Sequence, residues 1–255
     1  MFVEDVSLDP VAWERDGFVR GLRWMPSDEA AVRLASFERL EAEALEGQPA
    51  GSKVGDFRPW EHADHPVRAW MTELVDDPRL HAMLVPLLGP DLLLRNADVF
   101  TKAPGLRRGI GWHWDTAERG PDADHLVTVW LALTPATPAN GGLRYAAGSH
   151  RLIPPDAPTD RHRLTFSPQA VAALDPASFV DNALQPGQVS VHHFRLAHSS
   201  GPNTTASRRV GIALRVLSPR CSPETAESGQ AYRMAGTGPV GRWQLRDRFP
   251  MTWTA

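Results

Sequence analysis

Gly111-Trp112-His113-Trp114-Asp115 places one imidazole and one carboxylate two positions apart in an aromatic segment. In a β-strand, side chains at positions i and i+2 project from the same face. His113 and Asp115 are therefore expected to point together into the interior of a β-structure. A second imidazole from another strand would complete a set of two His and one Asp, which can hold Fe(II) on one face and leave the opposite coordination positions open. His198 is the candidate, because it ends a β-type run that follows the turn at Pro186-Gly187.

A single His-x-Asp pair is weak evidence by itself. With 10 His in 255 residues, composition alone gives about 0.7 such pairs. The chain contains another, His62-Ala63-Asp64, in a loop rich in proline and charge where nothing holds both side chains to one side. The pair in the aromatic segment can also consist of hydrogen-bonded core residues. His192 competes with His198, because it lies six residues earlier and shares its face if the strand is unbroken, whereas His193 points the other way.

Length and composition indicate an ordinary globular protein. The 255 residues can form one sizeable domain or two small ones, and the 42% of hydrophobic residues is close to the globular average. The net charge of −3 gives no reason to expect nucleic acid or an anionic membrane as a partner. Cys221 is the only cysteine, which excludes an intrachain disulfide and a zinc site of several thiolates. The acidic N-terminus lacks a signal pattern and no apolar run is long enough to span a bilayer, so we expect a cytoplasmic protein.

The first ninety residues have helical character. Ser27 can cap a helix with Asp28 and Glu29 in its first turn, and apolar residues recur along this helix until Gly47. The segment that follows is rich in Gly, Pro and charge, which is typical of a loop. The expected loop spans 47–66, and two further helical segments span 67–75 and 79–88.

Beyond these helices the pattern changes to short β-type runs separated by Pro and Gly breakers. Many short strands with turn residues between them are typical of a sandwich or jelly roll. We expect one domain over 1–255, with a core over 91–217. An insert at about 152–182, helical around 168–174, is expected to leave the barrel, and the extension 218–255 has no clear pattern. The β-type runs are 92–101, 110–116, 125–134, 142–147, 188–198 and 208–217.

Several motifs follow the aromatic segment in a fixed order. They are Leu126-Val127-Thr128-Val129-Trp130-Leu131-Ala132-Leu133, Pro138-Ala139-Asn140-Gly141-Gly142-Leu143-Arg144, Gly148-Ser149-His150-Arg151, Pro186-Gly187, His198-Ser199-Ser200-Gly201-Pro202-Asn203 and Arg208-Arg209. Together they resemble the phytanoyl-CoA dioxygenase family of Fe(II)- and 2-oxoglutarate-dependent oxygenases, over roughly residues 77–217. The resemblance implies a fold that is mainly β with flanking helices: a double-stranded β-helix (jelly roll, cupin-like) buttressed by N-terminal α-helices.

The resemblance also implies roles for single residues. His113, Asp115 and His198 match the family's iron ligands, and Arg209 matches the arginine that binds the far carboxylate of 2-oxoglutarate. A planar guanidinium can grip a carboxylate through two parallel hydrogen bonds, which a lysine cannot do. A buried tryptophan can equally be core, and a lysine can equally lie on the surface. The further matches around the cosubstrate are Ser200, Trp130, Thr116 and Lys102.

By the same resemblance, Fe(II), 2-oxoglutarate and O₂ carry out an oxidative decarboxylation to succinate and CO₂ that is coupled to oxidation of a substrate C–H bond. Related halogenases replace the ligand carboxylate with a small residue, so Asp115 indicates hydroxylation, or desaturation or cyclisation, rather than chlorination. We expect a small-molecule substrate such as a natural-product intermediate, with Asp98 and Phe194 as candidate contacts, although Asp98 can equally form a structural hydrogen bond. Trp112 and Trp114 are expected to face away from the iron. The rival interpretations are a non-catalytic jelly-roll binding protein and a zinc hydrolase.

Overall fold

The computed structural model describes residues 8–53, 58, 61, 64–115, 124–153, 164–222 and 229–254. Within them the chain forms two β-sheets and five α-helices. The strands are β1 Phe18–Arg23, β2 Leu92–Lys102, β3 Ile110–His113, β4 Leu126–Ala132, β5 Leu143–Ala146, β6 Phe179–Asp181, β7 Gln188–His193, β8 His198–Ser200, β9 Arg209–Leu217, β10 Gln230–Ala235, β11 Gln244–Leu245 and β12 Met251–Thr254. The helices are α1 Pro10–Asp16, α2 Ser27–Leu45, α3 Pro66–Val75, α4 Pro78–Leu88 and α5 Pro168–Ala172.

The larger sheet has eight strands, in the order β1-β7-β4-β9-β2-β10-β11, with β12 also paired to β2. Strand β2 has β9 on one side, and β10 and β12 share its other side. The smaller sheet has four strands in the order β3-β8-β5-β6, and all of its pairs are antiparallel. The protein is therefore mainly β with flanking helices, a double-stranded β-helix as the motifs implied.

Strand β4 shows how the larger sheet separates core from cavity. All seven of its residues are buried, as expected for a strand that is covered on both faces. Val127, Val129 and Leu131 pack in one hydrophobic cluster with the helices. Thr128 and Trp130 alternate with them and line a cavity to which strands of the smaller sheet also contribute. This alternation places the helices on one face of the sheet and the cavity on the other.

The helices α2 to α4 cover the outer face of the larger sheet. Phe37, Met71 and Leu84, one from each helix, are fully buried in the cluster that also holds Val129 and Ile212. The helical layer and the larger sheet therefore share a hydrophobic core. None of the helices in the described residues combines the length and apolar character needed to cross a bilayer.

The three predicted helices are confirmed to within two residues at each end. Asp28 and Glu29 lie in the first turn of α2, where negative charge is favourable at the positive end of the helix dipole. The predicted Ser27 cap is wrong, because Pro26 occupies the cap position and Ser27 is already helical. Part of the predicted loop at 47–66, including His62, lies outside the described residues.

The run at 188–198, predicted as one strand, is two strands in different sheets. Strand β7 ends at His193 in the larger sheet, and β8 begins at His198 in the smaller one. The chain turns between them, where the backbone N–H of Leu196 donates to the carbonyl of His193 at 2.9 Å. His192 and His198 therefore do not share a strand face.

Three other regions contain strands that the sequence did not indicate. Strand β1 lies inside the region expected to be helical, and it pairs with β7 although Phe18 is its only buried residue. Strand β6 lies in the predicted insert and pairs with β5, so the insert returns to the smaller sheet instead of staying outside the barrel. Helix α5 agrees with the helical character around 168–174, while residues 154–163 lie outside the described residues. The C-terminal extension supplies β10, β11 and β12.

Candidate metal centre and its surroundings

The two candidate imidazole ligands lie side by side on paired strands. His113 of β3 and His198 of β8 are antiparallel partners, and their ring centroids are 4.0 Å apart. Nδ1 of His113 lies 2.8 Å from the carbonyl oxygen of Gly111, and Nδ1 of His198 lies 2.9 Å from that of Leu196. A carbonyl only accepts, so each Nδ1 carries the proton and each Nε2 keeps a lone pair for a metal ion.

Asp115 reaches the same point from a bend and not from a strand. Strand β3 ends at His113, so the argument from a shared strand face is wrong for this pair. Instead, the backbone N–H of Asp115 donates to the carbonyl of Phe194 at 2.9 Å, and that of Trp114 donates to Leu164 at 3.2 Å. These two bonds fix the backbone of the bend from which the Asp115 side chain reaches the imidazoles.

The ligand atoms of the three candidate residues converge on one place in the cavity. The nearest ligand atoms of His113, Asp115 and His198 all lie within 4.8 Å of one another, and Asp115 Oδ1 is 3.9 Å from His198 Nε2. Two ligands on one face of an ion lie about 3 Å apart when the metal–ligand bonds are about 2.1 Å, so the three donors would draw together by roughly one to two ångström around a bound ion. Two imidazoles and one carboxylate suit a first-row divalent ion with open positions.

The Asp115 carboxylate is held on both oxygens. The Thr128 hydroxyl donates to Oδ2 at 2.6 Å, His192 Nε2 lies 3.2 Å from the same oxygen, and Arg215 donates to Oδ1 at 3.2 Å. Burial alone would raise the pKa of Asp115, but the charge of Arg215 and the nearby imidazoles hold that pKa well below its usual value. The carboxylate is therefore ionised and oriented before any metal binds.

Arg209 is a buried cation for which the described part of the chain supplies no ion pair. Its residue is 2% exposed, its guanidinium lies 5.4 Å from the Trp130 ring centroid, and its Nε has no hydrogen-bond partner among the described residues. Burial lowers the pKa of Arg209 to about 10. An unpaired buried charge is costly, so this position fits an anionic ligand that would share the cavity with the metal.

Lys102 and Ser200 lie together beside Arg209. Lys102 Nζ donates to the Ser200 hydroxyl at 2.8 Å and to the carbonyl oxygen of Gly201. Burial, with a further contribution from Arg209, lowers the pKa of Lys102 to about 8. Strands β2 and β9 bring the two cations together, because Lys102 and Arg209 are directly paired in the sheet.

The structure thus brings together the predicted metal and cosubstrate residues that it describes, while Thr116 lies outside the described residues. Trp130 and Ser200 line the same cavity as the ligands. Asp98 pairs with Arg215 and accepts from Asn96 at 2.8 Å.

Phe194 and the two tryptophans belong to the surrounding packing. Phe194 is fully buried in a cluster with Trp243, and it also lines a cavity next to the metal site. Trp114 packs edge-on against Phe166 with ring centroids 5.1 Å apart, and Trp112 lies 4.5 Å from Phe179 by the same measure. Trp114 is at the same time part of the wall of that adjoining cavity.

Sequence reasoning missed Arg215. The sequence feature that identifies it is its spacing from Arg209. Alternate residues of a strand share a face, and Arg215 lies six positions after Arg209, an even number, in an otherwise apolar strand. Gly211 lies between them, and a Cβ there would come within 2.3 Å of the Trp130 ring. The small residue therefore makes room for the tryptophan beside the two arginines.

Tyr145 is a second residue that the sequence did not reveal. Its hydroxyl lies 3.1 Å from His192 Nδ1 and 2.8 Å from the Ser190 hydroxyl. Since His192 Nε2 faces the Asp115 carboxylate, which only accepts, Nδ1 of His192 accepts from Tyr145. His192 is therefore a support of the ligand Asp and does not replace His198.

Comparison with known proteins assigns the chain to a family. The family model described as phytanoyl-CoA dioxygenase (PhyH) matches residues 13–211. The chain belongs to the phytanoyl-CoA dioxygenase family. The resemblance seen in the motifs is confirmed, and the family match extends further toward the N-terminus than the motifs did.

Individual relatives share only a low sequence identity with this member of the phytanoyl-CoA dioxygenase family. Dioxygenase lolE1 of Epichloe uncinata is 25% identical over 173 residues, which are 68% of this chain and 64% of that protein. Ectoine dioxygenase of Nocardia farcinica is 27% identical over 191 residues, 64% of this chain and 62% of that protein. The solved apo structure of the non-heme monooxygenase ThoJ has a TM-score of 0.75 at 29% identity, covering 94% of this chain and 87% of ThoJ. The chain spans slightly less than two thirds of the length of the curated relatives it matches.

Proposed function

We propose that this protein is an Fe(II)- and 2-oxoglutarate-dependent dioxygenase that hydroxylates an unactivated C–H bond of a small molecule and releases succinate and CO₂. The observation that carries the proposal is Arg209, a buried guanidinium whose Nε is unpaired within the described chain and which lines the same cavity as His113, Asp115 and His198. A dicarboxylate that binds the metal at one end would place its other carboxylate on this guanidinium. A zinc hydrolase has no need of that charge.

The residues of the chain have separate tasks in this proposal. Bound Fe(II) and 2-oxoglutarate would supply the redox chemistry, in which O₂ and the keto acid are converted to succinate and CO₂ while a substrate C–H becomes C–OH. Nε2 of both imidazoles and Oδ1 of Asp115 would hold the ion. Arg209 fixes the far carboxylate, and the Ser200 hydroxyl, held by Lys102 at 2.8 Å, adds a polar contact beside it. Holding the reactants in one geometry supplies much of the rate enhancement.

The substrate would occupy a second cavity, of about 340 Å³, that adjoins the metal at His113 and Asp115. Its size is typical of a small-molecule site. Phe194 and Trp114 give it an apolar wall, and the Asp98–Arg215 ion pair gives it a polar one. Phe194 and Asp98 are therefore the proposed substrate contacts, and Asp98 would contact the substrate while paired with Arg215. The name of ectoine dioxygenase points to a small substrate for that relative, and a natural-product intermediate fits here.

The carboxylate at position 115 favours hydroxylation over chlorination, because it fills the coordination position that a halide needs. Desaturation or ring closure would use the same residues. Product mass separates these outcomes, since hydroxylation adds one oxygen atom whereas the other two remove two hydrogens.

The proposal is tested by succinate formation. Purified protein loaded anaerobically with Fe(II) is given 2-oxoglutarate, O₂ and a panel of candidate metabolites. We expect succinate that requires all three components and rises with the correct substrate. Asp115→Ala should abolish it, whereas Asp181→Ala, in a half-exposed pair with Arg144, should not. Metal and 2-oxoglutarate binding without any succinate across the panel would instead support a binding protein.

A further inference from the structure

A third cavity opens at the Arg209 end of the metal site. Its volume is about 310 Å³, and it shares Phe100, Ile110 and Arg209 with the metal cavity. The proposed substrate cavity instead adjoins the metal at His113 and Asp115 and does not include Arg209. Ile110 also lines the substrate cavity, so the two outer cavities meet there, but one contacts the site through Arg209 and the other through His113 and Asp115.

The two outer cavities differ in charge. Among the described residues that line the third cavity, Lys53, Lys102, Arg108 and Arg209 are basic, and none is Asp or Glu. The substrate cavity has two arginines that are accompanied by two aspartates. A cleft lined by charges of one sign concentrates ions of the other sign. A dicarboxylate is thus drawn into the third cavity and meets nearly balanced charge in the other one.

The positive charge of the third cavity continues from its rim to its inner end. Arg108 is exposed at the rim, whereas Lys102 and Arg209 are only 4% and 2% exposed at the inner end. Charges that are shielded from water act more strongly on an ion nearby. An anion that leaves the rim therefore meets a stronger attraction as it approaches Arg209.

The loop that carries Arg108 is fixed against the smaller sheet. A Cβ on Gly109 would lie 2.6 Å from the backbone oxygen of Ser200, so the loop runs in close contact with the end of β8. The carbonyl of Leu106 accepts from the backbone N–H of Asn203 at 2.9 Å. These contacts hold Arg108 at the rim.

We propose that the third cavity is a separate entrance for 2-oxoglutarate, distinct from the cavity that takes the substrate. The inference rests on the proposed function, because it assumes that Arg209 binds the dicarboxylate. The cosubstrate would pass Arg108 and Lys102, bind Arg209 with its far carboxylate and present its keto acid end to the metal. The substrate cavity reaches the site through His113 and Asp115 instead, so the two molecules need not use one path.

The rim charge gives a direct test with a matched control. Arg108→Glu reverses the charge of a lining residue, and Arg107→Glu makes the same change at an exposed neighbour that does not line the cavity. Stopped-flow absorption measures association of 2-oxoglutarate with the Fe(II)-loaded protein without O₂. We expect Arg108→Glu to slow association by about three- to tenfold at low salt, with the difference shrinking at high salt. Arg107→Glu should associate at close to the wild-type rate, and Arg108→Gln should lie between Arg108→Glu and wild type.

Three results would count against the inference. Equal association rates for the Arg108 and Arg107 variants, with normal binding by the wild type, would exclude this entrance and leave the proposed function intact. A raised KM for the substrate in Arg108→Glu, with unchanged 2-oxoglutarate association, would assign the cavity to an anionic group of the substrate. A wild-type protein that takes up Fe(II) but no 2-oxoglutarate would overturn both proposals.

Discussion

The two oxygens of the Asp115 carboxylate have different surroundings. Oδ2 is held by Thr128 and His192, while Oδ1 lies toward His198 and accepts from Arg215. Oδ2, with two hydrogen-bonding partners, anchors the carboxylate, and Oδ1 is the oxygen that faces the second imidazole as a ligand atom. Such supporting hydrogen bonds orient the ligand and tune its affinity for the metal. The site is thus shaped before an ion arrives.

Adjacent arginines at the start of β9 provide an internal control for the cosubstrate anchor. Arg209→Ala removes the buried guanidinium and is expected to raise the KM for 2-oxoglutarate by about 10- to 100-fold, since charge-assisted hydrogen bonds contribute roughly 1.5–3 kcal/mol. Arg208→Ala removes a side chain that pairs with Glu41 of α2 instead, and should leave this KM unchanged. Steady-state kinetics at saturating substrate measures both. An unchanged KM in Arg209→Ala would show that the anchor lies elsewhere.

The pKa of Lys102, lowered to about 8 by burial and then by Arg209, predicts a pH dependence of cosubstrate binding. The ammonium is positive below this pH and loses its charge as the pH rises through it. The dissociation constant of 2-oxoglutarate is therefore expected to increase between about pH 7 and pH 9, as measured by calorimetry on metal-loaded protein. Lys102→Met has no titrating group there and should give a flatter profile.

The stability of the folded protein should rise with pH over part of the range in which cosubstrate binding weakens. The pKa of Lys102 is lower in the folded state than its ordinary 10.5, so the unfolded chain binds more protons between about pH 8 and pH 10.5. The contribution of this group to the free energy of unfolding therefore rises with pH. Weaker cosubstrate binding that came with general unfolding would contradict the assignment to Lys102.

At the scale of elements, Arg215 connects strands that are far apart in the sequence. It lies on β9 and pairs with Asp98 of β2 and with Asp115 beyond β3. The Thr252 hydroxyl of β12 donates to the other oxygen of Asp98. The C-terminal strand is thereby linked to the metal ligand through one hydrogen-bonded network.

Arg215→Met should therefore destabilise the metal-free protein more than the metal-loaded protein. The change leaves the carboxylates of Asp98 and Asp115 buried without their cation, which costs about 3–5 kcal/mol. A bound divalent ion supplies positive charge to Asp115 and offsets part of this loss. Urea unfolding with and without Mn(II) measures the difference. Arg144→Met, in a half-exposed pair, should lose at most about 1 kcal/mol in both states.

Equal losses from Arg215→Met with and without metal would mean that the arginine has only a structural role. A loss confined to the metal-free form would instead show that Arg215 and the metal ion neutralise the same carboxylate.

The sequence predicts those strands that are apolar along almost their whole length, and it predicts the site only in part. Strands β4 and β9 are nearly continuous apolar runs, so their sequence alone indicates them. Strand β1 is half exposed and depends on β7 for its pairing, which no local pattern contains. Asp115 was identified from a two-residue spacing, yet its position comes from a backbone bond to Phe194. Contacts between distant segments decide such details.

At the scale of the whole molecule, the core and the site lie on opposite faces of one sheet. Leu84 of α4 is fully buried in the cluster that also holds Val129, while Thr128 and Trp130 face the metal cavity. A loss of packing in the helical layer should therefore lower stability without changing the geometry of the ligands.

Ligand binding should raise the melting temperature of the whole protein, because metal and cosubstrate bind the folded state. At 100 times its dissociation constant a ligand adds about 2.7 kcal/mol of stability, which for a chain of this size raises Tm by about 5–11 °C. Calorimetry with Mn(II) should show this shift in the wild type and lose it in Asp115→Ala. Leu84→Ala should start from a lower Tm, since such a cavity costs about 2–5 kcal/mol, and still show a shift of similar size. If Leu84→Ala loses the shift while remaining folded, the metal site depends on the helical layer, and the separation of core from site does not hold.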